Sequence, residues 1–208
     1  MNSIHFAVME NVTEKSIDNS ISTNEFANIE FWDICFQPSE YYNLFSKINR
    51  HPLLKADDSY SFIGAATVSE AYLIKEVLQD KYSSSSGIRM VNTGTIDKYS
   101  NLWGVCPMQY IKGRYQYPII EEEDLVKISA KRLEQAKSCK IIVAGMSKFI
   151  EAIYDDGNTL AGKSTTIILG EPKKLKYLLA ILNSNLASFF TRIAYNSLKM
   201  AGGFINVA

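Results

Sequence analysis

Histidine is almost missing from this chain: only His5 and His51 occur in 208 residues. A Ser-His-Asp arrangement would have to pass through one of them, and neither segment carries a nucleophile motif. Cysteine is scarce too. Cys35, Cys106 and Cys139 are odd in number, far apart and in no CxxC or Cys/His cluster. That pattern argues against a disulfide framework and a zinc site, and fits reduced, mostly buried thiols of a cytosolic protein. A metal site would need mainly carboxylates. The opening MNSIHFAVMEN has no basic region and too short an apolar run for a secretory signal. No window approaches the roughly 18 apolar residues of a membrane span. The richest stretch, YLLAILNSNLASFF, is interrupted by Asn183, Ser184 and Asn185. There is no GxGxxG, GxSxG or HExxH sequence.

What is present reads as a globular protein: 47% hydrophobic, 21% charged and 12% aromatic, the aromatics mostly Tyr and Phe. The formal net charge of +0 conceals a gradient. Residues 1–60 carry −5, residues 61–124 carry −2 and residues 125–208 carry +7. The last third is therefore basic, and such asymmetry is informative about partners.

Residues 4–9 read as a short strand, followed by a polar loop or hairpin tip that is a candidate for disorder. On this basis residues 1–29 form a partly flexible N-terminal strand and loop, and 30–208 the main domain. SEYYNLFSKINR has helical spacing, with Ser39 as a plausible cap. Residues 60–66 read as a strand and Thr67–Val77 as a helix capped by Thr67 or Ser69. KYSSSSG is a loop, and IRMVNTG a strand entering a turn. EEEDLVKISAKRLEQAKS predicts one helix with an acidic start and a basic end, both suited to the helix dipole. KIIVAGM resembles a buried strand. FIEAIYDDG and STTIIL read as strands, and the pair suggests a hairpin. PKKLKYLLAILNSNLASFFTRIAYN predicts one long amphipathic helix with Pro172 in its first turn. The class is mixed α/β (α+β): a mixed sheet with strand-edge loops and a long C-terminal amphipathic helix.

Three segments carry chemistry. In IRMVNTGTIDKYSNLWG a strand ends in Asn92, Thr93, Gly94 and Thr95, followed by basic and aromatic residues. Short hydrogen-bonding groups at a turn suit phosphates or base edges, and equally a turn that bonds its own backbone. In KIIVAGMSKFIEAIYDDGNTLAGKSTTIIL, small and basic residues stand at strand edges: Ser147 and Lys148 after one strand, Lys163 and Ser164 before another. GKST looks like the end of a phosphate loop but leads into the β-like TTIIL, so a nucleotide site is set aside. Beyond the last helix, Lys199 and Gly202–Gly203 form a loop able to approach a nucleic-acid backbone.

The ordered combination of NTGTIDKY…WG, KIIVAGMSKFIEAIYDDGNTLAGKSTTIIL, LLAILNSNLASFF and GGFINV resembles the C-terminal specificity domain of TaqI-type adenine-N6 DNA methyltransferases. FIGAATVSEAYLI at 62–74 resembles the family's G…T.EAY segment, so the likeness spans about residues 30–208. That domain also occurs in fused type II restriction-modification enzymes and is similar to type I specificity-subunit recognition domains. The resemblance implies a module that reads a short double-stranded DNA sequence, with methyl transfer and S-adenosylmethionine belonging to a catalytic methyltransferase domain of a longer parent chain. No Asn-Pro-Pro-aromatic sequence occurs here, so no catalytic residue and no cofactor is assigned to this chain. The chain stops just after GGFINV, as an excised part of a longer enzyme would.

The residues expected to face DNA are Arg89, Asn92, Thr93, Thr95, Lys98, Lys112, Arg114, Tyr115, Ser147, Lys148, Lys163, Ser164 and Lys199. Lysines and arginines would hold phosphates; Arg89 or Arg114 would pair with guanine and Asn92 with adenine. Two other classes stay open. The aromatic segment 99–117 suits a protein partner, and Asp155, Asp156 or the acidic run from Glu121 suits a carboxylate-based site. No membrane partner is expected.

Overall fold

The computed structural model describes residues 3–10, 13–27, 29, 32–52, 54–82, 87–195 and 205–206. Strands β1 (Ser3–Glu10) and β2 (Thr13–Ser22) pair antiparallel, followed by helix α1 (Ser39–Ile48). Next come β3 (Tyr60–Gly64), α2 (Val68–Val77), β4 (Gln79–Asp80) and β5 (Gly87–Val91). A short hairpin, β6 (Met108–Tyr110) and β7 (Gly113–Tyr115), leads to β8 (Pro118–Glu121) and α3 (Ala130–Lys137). The last third holds β9 (Lys140–Ala144), β10 (Ala152–Asp155), β11 (Thr159–Ala161), β12 (Thr165–Gly170), α4 (Pro172–Leu182) and α5 (Asn185–Ala194).

Two four-stranded sheets result. Sheet I has the order β11-β5-β8-β4, with β11 parallel to β5 and the other pairs antiparallel. Sheet II has the order β10-β9-β12-β3 and is antiparallel throughout. The α+β class follows.

The sheets stack because β9 is apolar on both faces. Ile142 and Ala144 meet Val91, Ala161 and Ile167 between the sheets, while Ile141 and Val143 meet Leu175, Leu178 and Leu179 of α4. Alternate strand residues point to opposite faces, so one buried strand serves two cores. On the far side of sheet I, Ile88, Met90, Ile120 and Leu160 pack against Ala71, Ile74 and Val77 of α2 and Ala136 of α3. The order of layers is helices, sheet I, sheet II, helix. Each buried Ile, Leu or Val contributes roughly 1.5–3 kcal/mol relative to exposure. A fourth cluster joins Ile21, Ile34, Cys35 and Phe45 to Ile193 and Ala194, with the Phe45 and Phe190 rings stacked 4.6 Å apart.

Five local expectations are corrected. The polar stretch after residue 10, expected as a loop or hairpin tip, is mostly the second strand of a hairpin, since Thr13–Ser22 pairs with the first strand. Ser39 is the first residue of α1 and makes no cap bond as an N-cap would; Pro38 precedes it. The helix expected from Glu121 to Ser138 is a 3-10 turn, Glu122–Lys127, and a separate α3. The single long C-terminal helix is two. Buried Asn183 breaks it by bonding both the N–H (3.0 Å) and the carbonyl (2.9 Å) of Ala152, and Ser184 caps the second helix through the Ala187 N–H at 3.0 Å. Finally, β10 and β12 do not form a hairpin. Both flank β9, and β11 between them crosses into sheet I. The serine run at 83–86 and the loop at 199–203 lie outside the described residues.

Candidate functional site

The parallel pair β5 and β11 ends on one side of sheet I, and the turns that follow are knitted together there. Asn92 is 7% exposed. Its Nδ2 donates to the Gln109 carbonyl at 3.1 Å, and its Oδ1 accepts from the Ser164 N–H at 3.2 Å. Thr93 Oγ1 donates to the Ser164 carbonyl and accepts from the Gly145 N–H at 3.2 Å. The Gly145 N–H also lies 2.9 Å from the Ser164 carbonyl. Thr95 is fully buried, and its hydroxyl and the Asn92 backbone exchange bonds at 3.0 Å. Gly162 approaches so closely that a Cβ there would stand 2.7 Å from Asn92 Oδ1. Four segments thus converge: 92–95, the β6–β7 hairpin, 145–149 and 162–164.

The hairpin turn has positive φ at Ile111 (41°) and Lys112 (61°), the left-handed pair typical of tight two-residue hairpins. It displays Lys112 and Arg114, both exposed. Tyr115 is half-buried against the α2-side core, with its ring over Gly113. Ser147 is buried and its hydroxyl donates to the Phe149 carbonyl, while Lys148, Lys163 and Ser164 are exposed. None of the four segments holds an aspartate or glutamate. Lys112, Arg114, Lys148 and Lys163 stand on these segments.

Of the predicted residues, Thr93, Lys112, Arg114, Ser147, Lys148, Lys163 and Ser164 are brought together. Asn92, Thr95 and Ser147 belong to the same place as struts. With both amide groups engaged on backbone, Asn92 offers no free edge to adenine, and the buried Thr95 faces inward; both expectations are corrected. Ser147 is 5% exposed with its hydroxyl on the Phe149 carbonyl, so its expected DNA contact is corrected as well. Arg89 is exposed, but its guanidinium lies 4.5 Å from the centre of the Trp103 ring, whose indole N–H donates to the Pro118 carbonyl at 2.8 Å. Lys98 turns toward Ser188, 3.4 Å from its Oγ, and the Phe149 ring, 5.7 Å away. Lys199 lies outside the described residues.

Gly157 and Gly162-Lys163-Ser164 have the letter spacing GxxxxGKS of a phosphate-binding loop. The geometry is wrong for one. Thr159, Leu160 and Ala161 are buried in a strand, and a strand rather than a helix follows. No array of N–H groups at a helix N-terminus is available to cradle phosphates.

Three of the carboxylates weighed for catalysis, Asp155, Glu121 and Asp124, are engaged in ion pairs. Asp155 receives the fully buried Lys140 ammonium, the Thr159 hydroxyl at 2.6 Å and the Gly157 N–H at 3.2 Å. Lys140 also donates to the Ala136 and Ser138 carbonyls at 2.9 and 3.1 Å. Burial pushes its pKa down, opposed by Asp155. Glu121 and Asp124 pair with Lys81 and Lys127. Among the described residues no group of three or more His, Cys, Asp or Glu is placed to hold a metal. In the aromatic segment 99–117, Tyr110 is buried and Trp103 packs between the sheets, while Tyr99 remains 58% exposed. No helix of the described residues is long and apolar enough to cross a membrane.

Sequence reasoning missed a second hub. Glu70 accepts from two of the three Arg132 nitrogens, Nε at 3.1 Å and Nη2 at 2.8 Å, and from the Thr67 N–H at 2.8 Å and the Ser129 hydroxyl at 3.1 Å. The Arg132 hydrogen bonds hold its carboxyl at about 2, well below the usual range. The T-x-x-E spacing of a capping box announces the Thr67 part; the Arg132 part spans 62 positions and has no local signal.

The fold is an α+β module whose strand-end turns carry exposed cations. The family model described as the TaqI-like C-terminal specificity domain matches residues 93–203. The chain belongs to that family, the specificity domains of restriction-modification systems. No curated protein matches it.

Proposed function

We propose that this chain binds double-stranded DNA as the target-recognition domain of an adenine-N6 DNA methyltransferase of a bacterial type II restriction-modification system. The observation that carries the reading is the exposure of Lys112, Arg114, Lys148 and Lys163 on three of the four converging segments, whose sequences hold no aspartate or glutamate. Cations with no acidic neighbour on their own segments suit a phosphate backbone. In this reading the Lys112–Arg114 hairpin, with three residues per strand, supplies the base contact. Methyl transfer and S-adenosylmethionine belong in this reading to a catalytic domain acting with it.

Titration of a fluorescent duplex at two salt concentrations tests the reading. Affinity should fall steeply with salt, and Lys112→Ala should reduce the log–log slope by about 1. Arg114→Ala should weaken binding by about 1–3 kcal/mol on the preferred sequence and less on others. An equal loss on every sequence would place Arg114 on phosphate. Salt-independent binding, or none at low salt, would remove the proposal.

A further inference from the structure

A groove of about 390 Å³ lies between α1, the Phe149 turn and one face of α5. Its walls are aromatic. Tyr41, 42% exposed, meets Phe189 edge-on at 5.1 Å, and Phe149, 43% exposed, lines the same groove. Gln37, Asn185 and Ser188 contribute amide and hydroxyl groups. Arg192, on the same α5 face, places its guanidinium 5.3 Å from the Phe149 ring centre, and Lys98 reaches that ring at 5.7 Å. Lys98 shares its charge with Glu151 and Asp97 close by. Among the described residues Arg192 makes no ion pair.

We propose that this groove binds one unpaired nucleotide, its base between Phe149 and the Tyr41–Phe189 pair and its phosphate on Arg192. The volume falls in the range of small-molecule pockets and far exceeds one phosphate group. Aromatic walls stack any base face, and amides pair with base edges. The cation is held ready by its ring contact. The site adjoins Lys148, because Phe149 follows it and the Phe149 carbonyl is tied to the Ser147 hydroxyl. The nucleotide is either free or an extrahelical unit of a bound strand; the pocket chemistry is the same. The inference does not depend on the duplex reading above.

Calorimetric titration of the 208-residue chain with deoxythymidine and deoxyadenosine monophosphates, their nucleosides and inorganic phosphate provides the test. Saturable binding of the monophosphates is expected, at least tenfold weaker for nucleosides and for inorganic phosphate. Arg192→Gln and Phe149→Ala should each weaken it at least tenfold. Arg192 is exposed, so its variant should melt like the parent and keeps the test valid if Phe149→Ala unfolds. Lys112→Ala should bind monophosphates normally, separating failure here from failure of the duplex reading. A duplex with one unpaired nucleotide binding more tightly than its fully paired form, with the excess lost in Arg192→Gln, identifies a strand as the source; equal binding of the two duplexes beside retained monophosphate binding identifies free nucleotide. No saturation at millimolar monophosphate, equal competition by inorganic phosphate, or wild-type binding by Arg192→Gln overturns the proposal.

Discussion

Asn92 shows how a residue of suggestive chemistry is decided by its surroundings. Asparagine at the end of a strand has the donor and acceptor to read adenine, but both groups close bonds to Gln109 and Ser164. Asn92→Ala should leave a carbonyl and an N–H without their partner, costing about 1–3 kcal/mol. A urea melt checks this, and DNA preference measured well below the melting range should be unchanged. Unaltered stability with an altered base preference would return Asn92 to the reading surface. Lys140 teaches the same lesson from the other side. A lysine opens the apolar strand β9, and it is fully buried and paired with Asp155. A buried charge persists when a partner and carbonyls replace water.

At the scale of elements, the beginnings of structure were legible and the breaks were not. The capping box before α2, the apolar β9 and Pro172 at the start of α4 follow from local chemistry. The division of the C-terminal helix follows from Asn183 bonding Ala152, 31 positions away. The α2 cap makes a pH prediction. Glu70 is held at about 2 in the folded chain against 4.5 for the free side chain. Its contribution is complete above the unfolded value and disappears as pH falls from about 4.5 toward 2. Because the side chain is 22% exposed, about 1–3 kcal/mol is a fair size for it after screening. Glu70→Gln should therefore be less stable at pH 7, and the gap to the parent should narrow between pH 4.5 and 2 in denaturant melts. A gap independent of pH would mean that the Arg132 pair is not its source.

Over the whole molecule, the crossover from β10 through β11 to β12 binds the sheets together. Its first turn rests on Gly157, at φ 112°, where an added Cβ would also strike the Lys137 carbonyl. Gly157→Ala should destabilise by at least about 2 kcal/mol. Because β11 belongs to sheet I and its neighbours to sheet II, amide exchange should accelerate in both sheets together. Faster exchange in one sheet alone would show that they open independently. The meeting of the cation-bearing turns is a product of the same stitching. Lys112 and Lys163 are 51 positions apart in the sequence, and their turns meet because β11 lies beside β5 and Ser164 reaches Asn92.

The sequence by itself determined the α+β class, the strands with two apolar faces, the basic last third and the four turns free of acidic residues, because these depend on composition and short periodicities. The tertiary structure alone decided which turn residues face outward, that a GxxxxGKS spacing is a strand and its flanking turns, and that a 390 Å³ aromatic groove lies beside the Lys148 turn. Those outcomes depend on hydrogen bonds and packing between residues tens of positions apart, which no local pattern encodes.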